Sequence, residues 1–354
     1  MSAFEKLKAR MADVVMLGSV QAVLDWDQQT YMPPGGLRGR SSQLALISKL
    51  KHELHISPET EKLLAAAEHE NQGADPDSDD AAYLRVARRE FDKKARLPAD
   101  LVKEMAENAT LAHEAWATAR AESNYAKFAP ALEKTLELQR RMAELLGYRH
   151  EIYDALLDNY EPEMLTSEVR SVFQKIKTPL VDLVRQISAL GAGAVDASPL
   201  TREFDEEKQR KFAEDIIKRF GFNFARGRQD RTAHPFCTTF SPDDVRITTR
   251  YDKNFLPMAL FGTLHETGHA LYELGVDRRY GGNVLGGGVS SSVHESQSRL
   301  WENLVGRSRS FWQCFYGQLQ TQFPVLSDTS LENFYRAINR VHPSLIRVEA
   351  DEMT

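Results

Sequence analysis

Two histidines and a glutamate have the spacing of a metal-binding hydrolase in residues 264–271. His265 and His269 are four residues apart, so on a helix their rings lie on one face and can reach a single metal ion. Glu266 follows the first histidine and can hold a water molecule beside that ion. The pattern is typical of zinc hydrolases, which most often cleave a peptide bond. The alternative is that both are core or surface histidines of an ordinary amphipathic helix.

A catalytic zinc ion takes three protein ligands and leaves the fourth position to water, so a third ligand is required. Glu295 is the first candidate, because a carboxylate one helix downstream usually completes such a site. Two alternatives stay open. Glu295 lies three residues after Ser292 and can form a capping box instead. His294 is the competing candidate for the third ligand. Its side chain points about 100° away from that of Glu295, so only one of the two can face the metal.

These residues need helices to position them, and the flanking sequence predicts two. Asn254 offers a cap, Pro257 a helix-opening residue and Gly275 a stop, which predicts a helix of roughly four or five turns. A second helix is expected to begin near Ser292. The loop at 281–288 contains five glycines, so few side chains hinder the second helix from folding back on the first.

Upstream of the histidine helix the sequence changes to strand-like alternation. Residues 232–240 and 244–251 are rich in β-branched side chains and are separated by a turn at 241–243, which predicts a β-hairpin. An extended peptide can pair with such an edge and align its scissile bond over the metal. Arg246 is then a candidate for binding a substrate carboxylate. An arginine on a solvated strand face, paired with Asp244, is the equally weighted alternative.

Composition and charge exclude several classes of protein. The formal net charge of -6 gives no basic footprint for nucleic acid, and no apolar run approaches the roughly 20 residues that span a membrane. The first residues lack the apolar core of a signal peptide, and the 2 cysteines give no disulfide framework, so the cytoplasm is the expected location. Residues 1–200 indicate successive helices with short polar joints, which predicts a mainly α protein.

Five short motifs follow one another in the second half of the chain: His234-Pro235-Phe236, Asp244-x-Arg246-x-Thr248, His265-Glu266-x-x-His269, His294-Glu295-Ser296-Gln297 and Ile346-Arg347-x-x-Ala350-Asp351. A sixth stretch, residues 26–33, lies near the N-terminus, so the six together are spread over nearly the whole chain. In these motifs the sequence resembles the Taq-type thermostable metallocarboxypeptidases.

The resemblance implies a helical zinc-peptidase fold with a deep substrate groove and a small antiparallel β element beside the histidine helix. It makes His265, His269 and Glu295 the zinc ligands and Glu266 the general base. It implies one Zn²⁺ ion per chain, with another divalent ion such as Co²⁺ as the alternative. The implied activity is zinc-dependent release of C-terminal amino acids from peptides by metal-activated water.

The resemblance also implies substrate contacts and a division of the chain. Arg347 becomes the first candidate for binding the terminal carboxylate of a peptide, ahead of Arg246. His234 is a candidate for substrate or oxyanion binding, with a purely structural role equally weighted. We expect residues 1–200 to roof the groove and residues 201–354 to form the zinc-binding region. A homodimer is expected as well.

Family members continue past the last motif, whereas this sequence ends three residues after Asp351, so we expect part of the family domain to be missing. By resemblance, that part supplies a tyrosine that helps to stabilise the tetrahedral intermediate. Removing one such donor costs about a hundred-fold or more in rate. Two alternative functions therefore stay open. One is an oligopeptidase or endopeptidase that uses the same histidine helix, and the other is a catalytically impaired zinc-binding fragment.

Overall fold

The computed structural model describes residues 1–191, 193–232 and 234–342. Within these ranges the chain is mainly helical, with thirteen α-helices and one small sheet, which confirms the predicted fold class. The helices are α1 (Ala3–Thr30), α2 (Leu37–His55), α3 (Pro58–Glu70), α4 (Asp79–Ala95), α5 (Ala99–Ala121), α6 (Ala129–Leu146), α7 (Ile152–Leu157), α8 (Thr166–Ala189), α9 (Glu206–Phe220), α10 (Leu256–Leu274), α11 (Ser291–Arg299), α12 (Arg309–Gln322) and α13 (Leu331–Ile338).

The chain forms two compact units. One contains residues 1–11 and 52–175, and the other contains residues 12–51 together with the described residues from 176 onward. All described residues of the predicted metal site belong to the second unit. The predicted roles of residues 1–200 and 201–354 stay predictions. None of the described helices is long and apolar enough to cross a membrane.

In the first unit, the start of α7 is held by one buried carboxylate. Asp154 accepts hydrogen bonds from the backbone N–H groups of His150 and Glu151, both at 3.1 Å. It also accepts one from the N–H of Thr166, at 2.8 Å, and so ties α7 to the start of α8. Hydrogen bonding from Thr166, followed by that from Glu151, holds the pKa of Asp154 far below its usual range.

The second unit contains the sheet, in which the predicted hairpin is present. Strand β2 (Cys237–Ser241) pairs antiparallel with β3 (Asp244–Thr249). A third strand, β1 (Gly227–Arg231), pairs in parallel with β3 and was not predicted. Its five residues are a glycine followed by four polar side chains, with no β-branched residue to indicate a strand. The order is β1-β3-β2, so β2 is an edge strand among the described residues.

Helix α10 lies in the core of this unit, which explains its apolar composition. Pro257 stands in its first turn and Gly275 follows its last residue, as predicted. The residue before the helix is Phe255, so Asn254 does not occupy the predicted cap position. Fully buried side chains from α9, β3, α12 and α13 belong to the same core, among them Ile216, Ile217, Ile247, Trp312 and Phe334.

Candidate metal centre

A glycine in the middle of the histidine motif lets α11 pack directly against α10. A Cβ atom at Gly268 would lie 2.4 Å from the carbonyl oxygen of Gln297 and 2.5 Å from the Cα atom of Ser298. Side chains do not approach backbone so closely, and the two helices can therefore meet only where one residue has no Cβ atom. This close approach brings Glu295 of α11 to the histidines of α10.

Three side chains converge there with a donor set that fits a divalent ion of the zinc type. Oε2 of Glu295 lies 3.6 Å from Nε2 of His265 and 3.8 Å from Nε2 of His269. One ligand atom from each residue lies within 4.8 Å of those from the other two. Tetrahedral nitrogen and oxygen ligands of zinc stand about 3.3 Å from one another, so small side-chain adjustments would close the set. Two imidazoles and one carboxylate leave a fourth position for water.

The side chain of Glu295 does not cap its own helix. Ser290 takes the cap position of α11, where its hydroxyl oxygen accepts the backbone N–H of Val293 at 3.3 Å. The predicted capping box that begins at Ser292 is therefore not the start of this helix. The hydroxyl of Ser298 lies 2.7 Å from Oε2 of Glu295 and steadies the carboxylate beside the histidines.

His265 is supported from behind by a second carboxylate. Its Nδ1 atom lies 2.9 Å from Oε2 of Glu302, which belongs to a π-helical segment at Leu300–Val305. Arg299 and Arg307 each donate to Glu302 at 3.3 Å. Burial is the largest influence and lowers the pKa of His265, but the hydrogen bond with Glu302 and the charges of the nearby glutamates together outweigh it, and the net shift is upward. Such carboxylate partners fix the orientation of metal-binding histidines.

His269 is supported through another histidine instead. Its Nδ1 atom contacts Nδ1 of His294, and Nε2 of His294 lies 2.8 Å from Oε1 of Glu273. His294 therefore stands behind one of the proposed ligands, rather than in the place of Glu295. Burial, followed by the charge of His265, lowers the pKa of His269 to about 4, which favours the neutral ring that binds metals.

Glu266 is buried beside the ligands, with 6% of its surface exposed. Burial raises the pKa of Glu266 to about 7, and the charges of Glu295 and Glu302 add to the shift, while His265 opposes it. A carboxyl group with a pKa near neutrality can both accept and donate a proton at neutral pH. Its position and its pKa suit a general base.

Arg246 is engaged by one carboxylate and by two aromatic rings. Its Nε and Nη2 groups donate to the two carboxylate oxygens of Asp244, each at 2.9 Å. Its guanidinium carbon lies 4.3 Å from the ring centre of Trp26 and 4.7 Å from that of Phe240. The structure therefore contains the ion pair that was the alternative to a substrate contact.

Two further residues were predicted to contact the substrate, His234 and Arg347. His234 is exposed in the bend that precedes β2. Arg347 lies outside the described residues, so the structure places no contact for it.

Two supporting residues, Glu302 and Glu273, were missed by the sequence analysis, although spacing could have indicated both. Glu273 follows His269 by four residues, the same step that separates His265 from His269, so it continues their helix face. Glu302 follows Glu295 by seven residues, which is close to two helical turns. Neither spacing identifies the contacted ring atom, which depends on how α10 and α11 pack.

Comparisons with known proteins decide the family. A sequence model of the carboxypeptidase Taq (M32) metallopeptidases matches residues 6–354. The chain belongs to this family. Thermostable carboxypeptidase 1 of Thermus thermophilus is 40% identical over all of this chain and 71% of its own length. Carboxypeptidase 1 of Bacillus subtilis is 36% identical over 94% of this chain and 66% of its own length.

Solved structures agree with the sequence comparisons. The crystal structure of the M32 carboxypeptidase from Deinococcus radiodurans superposes with a TM-score of 0.91 at 40% identity, over 99% of this chain and 70% of that one. A structure of Pyrococcus furiosus carboxypeptidase gives a TM-score of 0.92 at 36% identity, over 100% of this chain and 71% of that one. The predicted family and enzyme class are confirmed: the chain is of the metallocarboxypeptidase class of peptide hydrolases.

Proposed function

We propose that this M32 metallocarboxypeptidase uses Zn²⁺ bound by His265, His269 and Glu295, with Glu266 as the general base, to release C-terminal residues from peptides. The observation that carries the proposal is the convergence of the three donors, all within 4.8 Å of one another, beside a buried glutamate. Two nitrogen donors and one carboxylate are a common donor set of catalytic zinc. Co²⁺ is the alternative ion.

Bound zinc supplies a Lewis acid that lowers the pKa of water toward neutrality. The protein supplies the proton transfers. Glu266 accepts the proton of the attacking water and then delivers it to the leaving amine, a double role that a pKa of about 7 suits. The low exposure of Glu266 keeps its carboxyl group away from bulk solvent, so the proton it carries stays beside the scissile bond.

The edge strand gives a peptide a place to align. Strand β2 pairs with β3 on one side, and among the described residues its other side carries no strand. Helix α10 packs against both strands, so a peptide added along β2 would run beside the histidine helix. His234 is exposed just before this strand, which supports a contact with bound substrate.

The anchor for the terminal carboxylate of the substrate is proposed to be Arg347, with Arg246 as the alternative. The environment of Arg246 supports this order, because Asp244 already takes two of its donors and two aromatic rings lie close to its guanidinium group. A substrate carboxylate would have to compete with an ion pair already formed. An anchor at a fixed distance from the scissile bond would make the enzyme an exopeptidase.

The direct test is to incubate the purified chain with zinc and an N-blocked peptide and to identify the products by mass. Stepwise loss of C-terminal residues supports the proposal. Internal cuts would indicate an oligopeptidase or endopeptidase, and the absence of products would indicate a catalytically impaired zinc-binding fragment. Arg347→Ala should raise KM strongly for the peptide, whereas Arg246→Ala should affect it less. The reverse order would assign the anchor to Arg246.

The variant Glu266→Gln tests the general base. It should lower kcat by about 10²–10⁴-fold, because the amide cannot accept a proton, while zinc binding stays close to that of the unmodified chain. Steady-state kinetics on the blocked peptide and metal analysis of the same preparation measure the two effects. Hydrolysis at nearly the original rate would assign the base to another residue.

We also propose a location and an assembly for the protein. Cys237 and Cys314 form no disulfide, which suits a reducing compartment, and the cytoplasm is the proposed location. The proposed assembly is a homodimer, which light scattering of the purified chain would test.

A further inference from the structure

The two histidines of the proposed metal centre are supported in different ways. His265 contacts the carboxylate of Glu302 directly, at 2.9 Å. His269 reaches a carboxylate only through an intervening ring, because His294 contacts it and in turn lies 2.8 Å from Glu273. Glu273 is buried, with 7% of its surface exposed, so its charge needs this partner more than a surface carboxylate would.

Only one arrangement of protons satisfies this chain of contacts when His269 binds a metal. Metal binding needs the lone pair of Nε2 of His269, so the proton of that ring lies on Nδ1. Nδ1 of His294 faces this proton and must accept it, so His294 carries its own proton on Nε2. That proton points at the carboxylate of Glu273, which can only accept. Each N–H donor in this series thus faces an acceptor: that of His269 faces His294, and that of His294 faces Glu273.

The surroundings of His294 hold its ring in this orientation. The ring of Tyr272 meets it edge to face, with centres 5.2 Å apart. A Cβ atom at Gly288 would lie 2.5 Å from Cδ2 of His294, so the glycine leaves the room that the ring occupies. The backbone N–H of His294 donates to the carbonyl oxygen of Ser290 in the first turn of α11. Contacts with Tyr272, with the backbone near Cδ2 and at both ring nitrogens therefore limit the rotation of the ring.

We propose that His294 is a positioning residue for the metal: together with Glu273, it holds His269 in the tautomer and orientation that bind the ion. The inference rests on the proposed metal centre. It gives His294 a role other than that of a metal ligand. Loss of such a supporting contact typically weakens metal binding by about 10–100-fold.

The experiment measures zinc affinity by competition with a chromophoric chelator in three variants. His294→Phe keeps a ring but removes the acceptor, and we expect it to bind zinc about 10–100-fold more weakly. His294→Asn places an amide oxygen near the position of Nδ1, so it should recover most of that loss. Glu273→Gln removes the charge at the end of the chain and should give a smaller loss than His294→Phe. His69→Phe makes the same change at an exposed position of α3 and should bind zinc normally.

A second measurement separates positioning from simple packing. Thermal unfolding of the metal-free proteins should differ little between His294→Asn and the unmodified chain. In the zinc-loaded protein labelled with ¹⁵N-histidine, NMR should show His294 protonated on Nε2 and unprotonated on Nδ1. A zinc affinity that is unchanged in His294→Phe, or equally weak in His294→Asn and His294→Phe, would overturn the positioning role, as would the opposite tautomer.

Failure of the metal centre itself gives a different result. In that case His265→Ala and Glu295→Ala would bind zinc as tightly as the unmodified chain. Both the proposed metal centre and the positioning role would then be wrong. If those two variants lose zinc while the His294 and Glu273 variants retain it, only the positioning role is wrong.

Discussion

Three glutamates meet at the proposed metal centre, and their surroundings give them different protonation behaviour. Burial raises the pKa of Glu266 to about 7. Burial also raises the pKa of Glu295, but the hydrogen bond from Ser298 and the charges of the neighbouring cationic groups together lower it by more. For Glu302, burial is again the largest single influence, but the bond to His265 and the nearby charges, that of Arg307 first, together shift the pKa downward. At neutral pH, two of the carboxyl groups are thus ready to hold cations or imidazoles, and the third can exchange a proton.

The support of His265 by Glu302 can be tested with a neutral isostere. Glu302→Gln removes the negative charge behind the ring, so we expect zinc to bind about 10–100-fold more weakly. Chelator competition measures the affinity. Glu332→Gln is the matched control, since Glu332 is a partly exposed carboxylate of the same unit that pairs with Arg309 and Arg336. Equal zinc affinity in the two variants would show that Glu302 does not support the metal centre.

At the scale of elements, the junction of α10 and α11 determines whether the third ligand reaches the histidines. Gly268 lies at this junction, where any Cβ atom would collide with the backbone of α11. Another glycine of the same helix, Gly262, has only ordinary contacts: the nearest atom to a Cβ there would be Oγ1 of Thr249, at 3.6 Å. The same substitution at the two positions should therefore have opposite effects.

Gly268→Ala should destabilise the protein by about 1–3 kcal/mol, because the added methyl group overpacks the junction. It should also weaken zinc binding, since α11 carries Glu295 away as it moves. Gly262→Ala should leave zinc binding intact and stabilise the protein by about 0.5–1 kcal/mol through the lower entropy cost of alanine in a helix. Denaturant unfolding and chelator competition measure both effects. A Gly268→Ala variant with normal zinc affinity would show that the junction can relax without moving Glu295.

The start of α7 lies in the unit of residues 1–11 and 52–175, and its hydrogen bonds predict how the stability of the protein depends on pH. The folded state lowers the pKa of Asp154 far below its ordinary value of 3.8, so its contribution to stability is fully present above that value and is lost only as the pH falls through the lower pKa of the folded state. Asp154→Asn should therefore lower the unfolding midpoint at neutral pH, and the difference should begin to shrink only below about pH 4. Asp182→Asn, at an exposed aspartate of α8, is the control. A difference that does not decrease between about pH 4 and about pH 2 would mean that charge is not what Asp154 contributes.

The sequence predicted the elements better than the contacts that join them. The bounds of α10 followed from Pro257 and Gly275, and the hairpin from alternating β-branched residues, because these signals are local. Strand β1 was missed because its polar residues become a strand only by pairing with β3. The support of Glu302 for His265 depends on two helices that meet around one glycine, and a sequence pattern does not specify the geometry of that meeting.

At the scale of the whole molecule, metal binding and folding should be linked. The proposed ligands lie on two helices whose separation is not fixed in the unfolded chain, so zinc binds the folded state preferentially. Free zinc at about 100 times its dissociation constant should stabilise the chain by about 2.7 kcal/mol. Thermal unfolding at increasing zinc concentrations measures the shift, which Glu295→Ala should abolish. A midpoint independent of zinc in the unmodified chain would contradict the proposed site.

The π-helical segment at Leu300–Val305 carries the second carboxylate of the centre, Glu302, about two turns beyond Glu295. In a continuous α-helix each residue advances by about 100°, and a spacing of seven would place Glu302 almost directly above Glu295. The wider turn advances each residue by less, so Glu302 is rotated away from Glu295. It reaches the far nitrogen of His265 instead of the ion. A rise of roughly 10 Å along the helix separates the two positions, so the carboxylates serve opposite sides of one imidazole, Glu295 beside Nε2 of His265 and Glu302 at its Nδ1.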